Sequence, residues 1–324
     1  MTTRYLVTGG AGFIGGSFVR ELLTADGASV VVVLDKLTYA GRRDAVPSAA
    51  RFVHGDIGDR GLVRKLLADV RPQVLVHFAA ESHVDRSIDG PEDFVQTNVV
   101  GTFHLLEESR RYLANGGAMR FVHVSTDEVF GALGHTGVFT ESSSYAPRSP
   151  YAASKAASDH FVSAYVHTYG FPAILTNCSN NYGPYQYPEK LIPLTITNAL
   201  AGKRLPVYAK GENVRDWIHV ADHCAALRAV CARGRVGETY VIGARNERRN
   251  IDLVRLICAF LDQARPRPDG IEHASLIELV DDRPGHDFRY AIDPSKIERE
   301  LGWRPTIAFE DGLRSTITWY AQHG

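Results

Sequence analysis

A chain of 324 residues, 44% hydrophobic and 23% charged, can bury one large core or two coupled ones. Its formal net charge of −1 gives no overall attraction to nucleic acid or to a membrane surface. The four cysteines, Cys178, Cys224, Cys231 and Cys258, lack C-x-x-C spacing, which disfavours a zinc site or a disulfide framework and favours buried small hydrophobes. The first residues run straight into a strand and no apolar run approaches ~18 residues, so a cytoplasmic protein is expected.

In chain order, "RYLVTGGAGFIGGSFVRELL" passes from a short apolar strand through glycines into a helical pattern carried by Phe13, Ile14, Phe18 and Leu22. Gly9, Gly12 and Gly15 have the spacing G-x-x-G-x-x-G between that strand and helix. The first glycine permits a tight turn, the second lets backbone approach a pyrophosphate, and the third allows close helix–strand packing. The next strand, "SVVVVLD", ends at Asp35, about 20 residues on, where an acid accepts ribose hydroxyls and repels a 2′-phosphate. NAD is therefore the expected cofactor. "FVHGDIGD" offers Asp56 and Ile57 for an adenine, although an Asp after Gly is equally a turn residue. "QVLVHFAAE" is a fourth buried strand whose small Ala79 and Ala80 would let backbone come close to the cofactor, and "RFVHVST" is the next.

Short apolar runs alternating with helical stretches predict an α/β fold, a doubly wound parallel Rossmann-type sheet with a smaller α/β substrate-binding domain. Ligands of such a sheet sit at the carboxyl ends of its strands, where Ser125, Thr126, Asp127 and Glu128 fall. On a regular strand Asp127 and Glu128 would point to opposite faces, so both can serve one ligand only if the backbone leaves β geometry by about Thr126. Downstream, Ser149 is the expected N-cap and Pro150 the first residue of a helix carrying Tyr151 and Lys155 one turn apart. An ammonium there, with a positive nicotinamide, would lower the phenol pKa towards working pH.

The glycine motif, the Ser125-Thr126 strand end and Tyr151-x-x-x-Lys155 together resemble the extended short-chain dehydrogenase/reductase superfamily. The longer stretches "HFAAESHVDRSI", "VSTDEVF", "TNCSNNYGPYQYPEKLIP", "RDWIHVADHC" and "DRPGHDFRYAID" resemble its dTDP-glucose 4,6-dehydratases, from residue 4 to about residue 320. That resemblance implies a lyase that binds NAD and dTDP-glucose. It implies that Tyr151 takes the C4 hydroxyl proton while Thr126 orients the same oxygen, and that Lys155 holds the nicotinamide ribose. Glu128 is then the base at C5 and Asp127 the acid at the C6 oxygen, two close carboxyls that cannot easily both ionise. Lys36, Leu37, Thr38, Thr97 and Asn181 would join the glycines, Phe13, Ile14, Asp35, Asp56, Ile57, Ala79 and Ala80 around the cofactor.

The same resemblance places Ser82 near the sugar, and Asn180, Lys190, Leu191, Pro206, Val207, Tyr208, Asn250 and His286 along the nucleotide, with Tyr208 stacked on the pyrimidine. Arg215 and Arg283 are the expected diphosphate partners, since guanidinium forks match phosphate oxygens. The expected division is residues 1–182 for the NAD-binding domain, joined by about 218–243, with 183–217 and 244–324 holding the sugar nucleotide. Two departures stand out: Phe130 replaces the usual Tyr, and Gly16 replaces a Ser. The histidines show no metal spacing, and no metal is expected. A homodimer through helices near 93–112 and 151–169 is the family expectation. The alternatives are a UDP-sugar epimerase or decarboxylase on the same scaffold, of which the epimerase branch would lack the acid pair, and a catalytically silent NAD-binding protein.

Overall fold

Runs of β-branched and aliphatic residues, bounded by glycine and polar turns, form strands wherever both faces can be covered. The computed structural model describes residues 2–25, 27 and 29–323. Its strands are β1 (Arg4–Thr8), β2 (Val30–Asp35), β3 (Arg51–His54), β4 (Val74–His77), β5 (Arg120–Thr126), β6 (Ala173–Cys178), β7 (Asn180–Tyr182), β8 (Leu205–Tyr208), β9 (Val214–His219), β10 (Thr239–Ile242), β11 (Glu247–Arg249) and β12 (Ile277–Val280).

Seven of them form one parallel sheet in the order β10-β6-β5-β4-β1-β2-β3. Chain order reverses beside β1, which lies between β4 and β2, and this switch point opens a crevice at the carboxyl ends. Side-chain alternation divides the sheet between two cores. Val7, Val76 and Val122 join one apolar cluster, while their neighbours Leu6, Leu75 and Phe121 join the other. Both faces are thus dry, which explains why these strands lack polar alternation in sequence.

The smaller unit contains the three-stranded sheet β11-β9-β7 and the pair β12-β8, packed with the helices Leu191–Leu200, Asn250–Ala264 and Phe309–His323 around Ile192, Val254, Leu261 and Leu313. The helix Val220–Arg233 returns to the first core and packs on the helix Phe13–Ala25, and β10 closes the large sheet beside β6.

Two segments cross the division drawn from sequence. Residues 180–182 pair with β9 and put Tyr182 in the second core rather than the first. Conversely, Ile297, Leu301 and Trp303 pack into the first core, with Trp303 Nε1 donating to the Asp222 carbonyl at 3.1 Å. Helical spacing marks an apolar face but does not say which of two cores will cover it.

Both departures in sequence have local consequences. Phe130 is 3% exposed and packs between Phe139 and Tyr145, with centroids 5.2 and 5.3 Å away. A Cβ on Gly16 would meet Gly10 O and Arg20 Nη1 at 3.4 Å, an ordinary contact. Since a helix-interior glycine costs up to ~1 kcal/mol against alanine, Gly16→Ala should stabilise the protein by about that amount or less. The check is a higher denaturation midpoint at unchanged m-value.

Candidate active site

The crevice begins at the glycine turn. Gly9 adopts φ +71°, and a Cβ there would lie 2.5 Å from the Ala79 nitrogen. A Cβ on Gly15 would lie 2.3 Å from the Gly9 carbonyl oxygen. The third glycine therefore serves the turn itself rather than the helix–strand contact expected from its spacing. Gly12 lines the crevice, and its nearest neighbour for an added Cβ is the Gly9 carbonyl oxygen at 3.3 Å. The result is a bare backbone cradle before a helix N-terminus, which suits a pyrophosphate.

Asp35 braces this cradle. Its Oδ2 accepts from the Ala11 amide at 2.9 Å and its Oδ1 from the Leu37 amide at 2.8 Å. Each carboxylate oxygen keeps further acceptor capacity for a hydroxyl. Lys36 Nζ donates to Thr97 Oγ1 at 2.9 Å, with Asp56 Oδ2 at 3.5 Å and Glu81 Oε1 at 3.9 Å. Phe13, Ile14, Thr38, Ile57, Ala79 and Ala80 complete this end of the wall. Leu37 does not line it. Its φ of +53° turns the chain, and its side chain packs against the first core.

At the other end, Thr126 is the last residue of β5 and is extended, with φ −133° and ψ 154°. The chain then tightens into the 3₁₀ turn Asp127–Phe130, capped by Thr126 Oγ1 accepting from the Glu128 amide at 3.2 Å. The departure from β geometry thus falls immediately after Thr126. It gives the two acids different surroundings. Glu128 is half-buried and lines the crevice with Thr126, Tyr151 and Lys155. Asp127 is 1% exposed, with no hydrogen-bond partner for Oδ2 among the described residues. Its other oxygen, Oδ1, accepts from Thr126 Oγ1 at 3.4 Å.

Burial pushes the Asp127 carboxyl well above the usual range, and Glu128 and Asp216 add repulsion. Burial also raises Glu128, but Lys190, Arg283 and Arg215 pull it back. One proton shared by this pair therefore belongs on Asp127.

Ser149 caps the helix Pro150–Tyr169, its side chain accepting from the Ala152 amide, and Pro150 occupies the first turn. Tyr151 and Lys155 both face the crevice. The lysine by itself does not lower the phenol. Lys155 Nζ instead donates to the Val124 carbonyl at 2.9 Å, while burial first and Glu128 second push Tyr151 well above its usual value. The Thr126 hydroxyl beside the phenol works in the opposite direction. Ser125 is committed elsewhere, donating to Asp159 Oδ2 at 2.8 Å. Asn181 is fixed by His223 Nδ1 on its Oδ1 at 2.9 Å and by its own donation to the Ser179 carbonyl at 3.0 Å.

Ser82, Asn180 and Lys190 reach the same crevice, and Lys190 Nζ donates to the Ser82 carbonyl at 2.8 Å. The remaining second-domain residues stand apart from its lining. Arg283 and Tyr208 meet Asp85, with Arg283 Nη1 2.7 Å from Oδ1 and the Tyr208 hydroxyl 3.1 Å from Oδ2. His286 packs edge-on to Tyr208, and Pro206 is exposed on the same strand. Val207 corrects the expectation: at 2% exposure its side chain belongs to the second core, because alternation along β8 turns it inward between Pro206 and Tyr208. Leu191 packs partly against that core, and Asn250 begins the helix Asn250–Ala264 with its Oδ1 unpartnered among the described residues. Arg215 is buried and directs its donors to the carbonyls of Val214, Asp287 and Phe288, with its guanidinium 4.3 Å from the Tyr290 centroid.

Sequence reasoning missed Glu81, Cys178, Ser179, Gln186, Tyr187 and Glu189 in the crevice wall. Glu81 directly follows Ala79-Ala80 at a strand end, a position that marks it. Gln186, Tyr187 and Glu189 lie in a loop whose composition carries no periodic signal. Cys178 is buried beside the acids, and its thiol is pushed up to about 12, by burial and then by Asp127.

A family model described as GDP-mannose 4,6 dehydratase matches residues 6–316. The chain belongs to that family. It is 59% identical to the dTDP-glucose 4,6-dehydratase of Xanthomonas campestris pv. campestris strain B100, over 98% of this chain and 92% of that protein. It is 54% identical to an Escherichia coli protein of the same name, over 98% and 93% of the two chains. Among solved structures, the Streptomyces venezuelae dTDP-glucose 4,6-dehydratase with NAD and TYD bound superposes with a TM-score of 0.90 at 50% identity, covering 99% and 97% of the chains. A Thermus thermophilus UDP-glucose 4-epimerase in complex with NAD gives 0.89 at 30% identity, covering 98% and 99%. With so small a difference in TM-score, the backbone does not choose between these reactions within the 4,6-dehydratase family and its neighbours.

Proposed function

We propose that the protein binds NAD in this crevice and converts dTDP-glucose to dTDP-4-keto-6-deoxyglucose, acting as an NAD-dependent hydro-lyase. The observation that carries the reading is the split acid pair: a buried Asp127 whose Oδ2 has no partner among the described residues and whose burial favours the protonated form, beside a Glu128 whose smaller rise is offset by three cations. Water loss from a hexose needs an acid and a base together, and C5–H becomes acidic only beside a C4 ketone. Bound NAD supplies the two-electron acceptor for C4 oxidation and the matching reductant for C6.

The chain's own groups supply the proton transfers. Tyr151 takes the C4 hydroxyl proton, and Thr126 orients that oxygen. Glu128 takes the C5 proton, Asp127 protonates the departing C6 oxygen, and water leaves. Glu128 then returns a proton to C5, and the C4 oxygen remains a ketone beside Tyr151. Lys155, anchored on Val124, holds a positive charge next to the phenol and the nicotinamide ribose. Arg283 and Tyr208 receive the diphosphate and the pyrimidine.

Substrate carrying deuterium at C4 tests this. The label should appear at C6 of a 4-keto-6-deoxy sugar. A C4 epimer or loss of a carboxylate would point to the UDP-sugar epimerase or decarboxylase alternative, and unchanged substrate to a silent NAD-binding protein.

The pair also sets a pH window for water loss. Activity should rise as Glu128 loses its proton, above the ordinary glutamate range, and fall as Asp127 loses its own, well above the ordinary aspartate range. A dehydration profile with both limbs in the usual carboxylate range would contradict this assignment.

A homodimer is the proposed assembly, supported by exposed Val95, Phe161 and Tyr169 on the expected helices, and sedimentation velocity tests it. A cytoplasmic site of action is proposed with it. No described helix is long and apolar enough to cross a membrane.

A further inference from the structure

Asp85 lies in the short helix Val84–Asp89, which follows β4 on the sheet side of the crevice. Its two partners come from the other unit: Arg283 from the loop after β12, and Tyr208 from the end of β8. One carboxylate oxygen accepts from Arg283 Nη1 at 2.7 Å, and the other accepts from the Tyr208 hydroxyl at 3.1 Å. The guanidinium carbon also sits 5.9 Å from the Tyr208 ring centroid, and the His286 ring stands edge-on to that tyrosine at 5.8 Å. His286 is itself held by Asp282, Nδ1 to Oδ1 at 2.6 Å.

From this geometry we infer that Asp85 is a positioning residue for the sugar nucleotide, setting the phosphate-binding arginine and the base-contacting tyrosine in register with a single carboxylate. The inference rests on the proposed roles of Arg283 and Tyr208.

Two roles for such a carboxylate carry opposite signs. A counter-ion competing with phosphate for Arg283 would weaken nucleotide binding, and its removal would tighten it. A positioning group would strengthen binding, and its removal would loosen it. The contact pattern favours positioning. Asp85 engages Arg283 through a single nitrogen, Nη1, although the guanidinium fork carries five N–H donors. Arg283 Nε has no hydrogen-bond partner among the described residues, so the fork is not exhausted by the carboxylate. The remaining donors can meet a diphosphate while Nη1 stays on Asp85.

The second oxygen holds the Tyr208 hydroxyl, which fixes the plane of a ring that is 37% exposed and free to meet a base. Arg283 and Tyr208 together lower the carboxyl below its usual range against the effect of burial, so Asp85 remains ionised through neutral pH. Neither partner lies on a long rigid element at the point of contact. Without Asp85, the conformational entropy lost in ordering both side chains would count against nucleotide binding.

The test is calorimetric binding of dTDP and of inorganic pyrophosphate to the NAD-loaded protein, with steady-state kinetics alongside. Asp85→Ala should weaken dTDP by about tenfold or more, the size of one lost charge-assisted hydrogen bond. Pyrophosphate should weaken less, because it never engages Tyr208. Asp85→Asn keeps one acceptor oxygen and should fall between the alanine variant and the parent. KM for dTDP-glucose should follow the binding loss while kcat changes by less than about twofold, a split that general loosening of the fold would not produce.

Asp85 is a third exposed, and matched thermal midpoints of the variants check that each is folded. Equal or tighter dTDP binding in Asp85→Ala would overturn the inference and make Asp85 a competing counter-ion. Failure of the parent protein to bind dTDP would instead overturn the substrate reading beneath it, so the two failures are distinct.

Discussion

Asp127→Asn is expected to slow water loss by roughly 10²–10⁴-fold, the usual worth of a general acid, while C4 oxidation continues. The side chain is buried and has no partner for Oδ2 among the described residues, so the isosteric amide fits without a new cavity. What it cannot do is give a proton to the C6 oxygen. Oxidised substrate should then wait in the site, visible as near-ultraviolet absorbance of reduced cofactor. In heavy water Glu128 should still exchange the C5 proton, so recovered sugar should carry deuterium at C5. Glu128→Gln should block that exchange as well. Equal loss of oxidation and elimination in Asp127→Asn would show that the acid lies elsewhere. Asp216 bears on the same point, since its buried carboxylate adds to the repulsion that keeps Asp127 protonated.

The carboxylate split also shows where sequence stops being informative. Position at a strand end, adjacency of two acids and the need to leave β geometry were all readable, because each depends on a few consecutive residues. Which acid would keep the proton was not. That depends on Lys190, Arg283 and Arg215, which approach Glu128 from the other unit, and on Asp216, which approaches Asp127. The parallel sheet was legible for a related reason: strands covered on both faces must be continuously apolar, as "VVVL" at residues 31–34 is.

Side-chain direction in the second half was harder. Val207 lies between two exposed residues of β8, and alternation alone turns it into the core. Leu37 is turned away by a left-handed backbone that no propensity signals in a leucine. Ile297, Leu301 and Trp303 lie in the stretch expected to hold the sugar nucleotide, yet tertiary packing assigns them to the first core. Arg215 was sensibly matched to phosphate by chemistry, but its donors already serve three backbone carbonyls. Its charge nevertheless reaches Glu128, so the residue contributes to the site through its field.

Tyr151→Phe should act one step earlier than Asp127→Asn, with a loss of roughly 10²–10⁴-fold in C4 oxidation and no reduced cofactor at any time after mixing. The ring is 8% exposed and packs with Val84 and Phe94, so removal of the hydroxyl should leave the fold intact. The effect should be large because the phenol faces an unfavourable balance without ligands: burial and the Glu128 carboxylate both disfavour its ionised form. A lysine one turn away does not by itself reverse that, since its ammonium is anchored 2.9 Å from the Val124 carbonyl. The assembled site must therefore supply the missing positive charge, and oxidation should show its basic pKa in the loaded enzyme rather than in the free protein. Lys155→Met should accordingly move the pH dependence of C4 oxidation upward as well as lowering its rate. A Tyr151→Phe variant that still reduces its cofactor on adding sugar nucleotide would mean that another group in the wall, with the Thr126 hydroxyl the first candidate, takes the C4 proton.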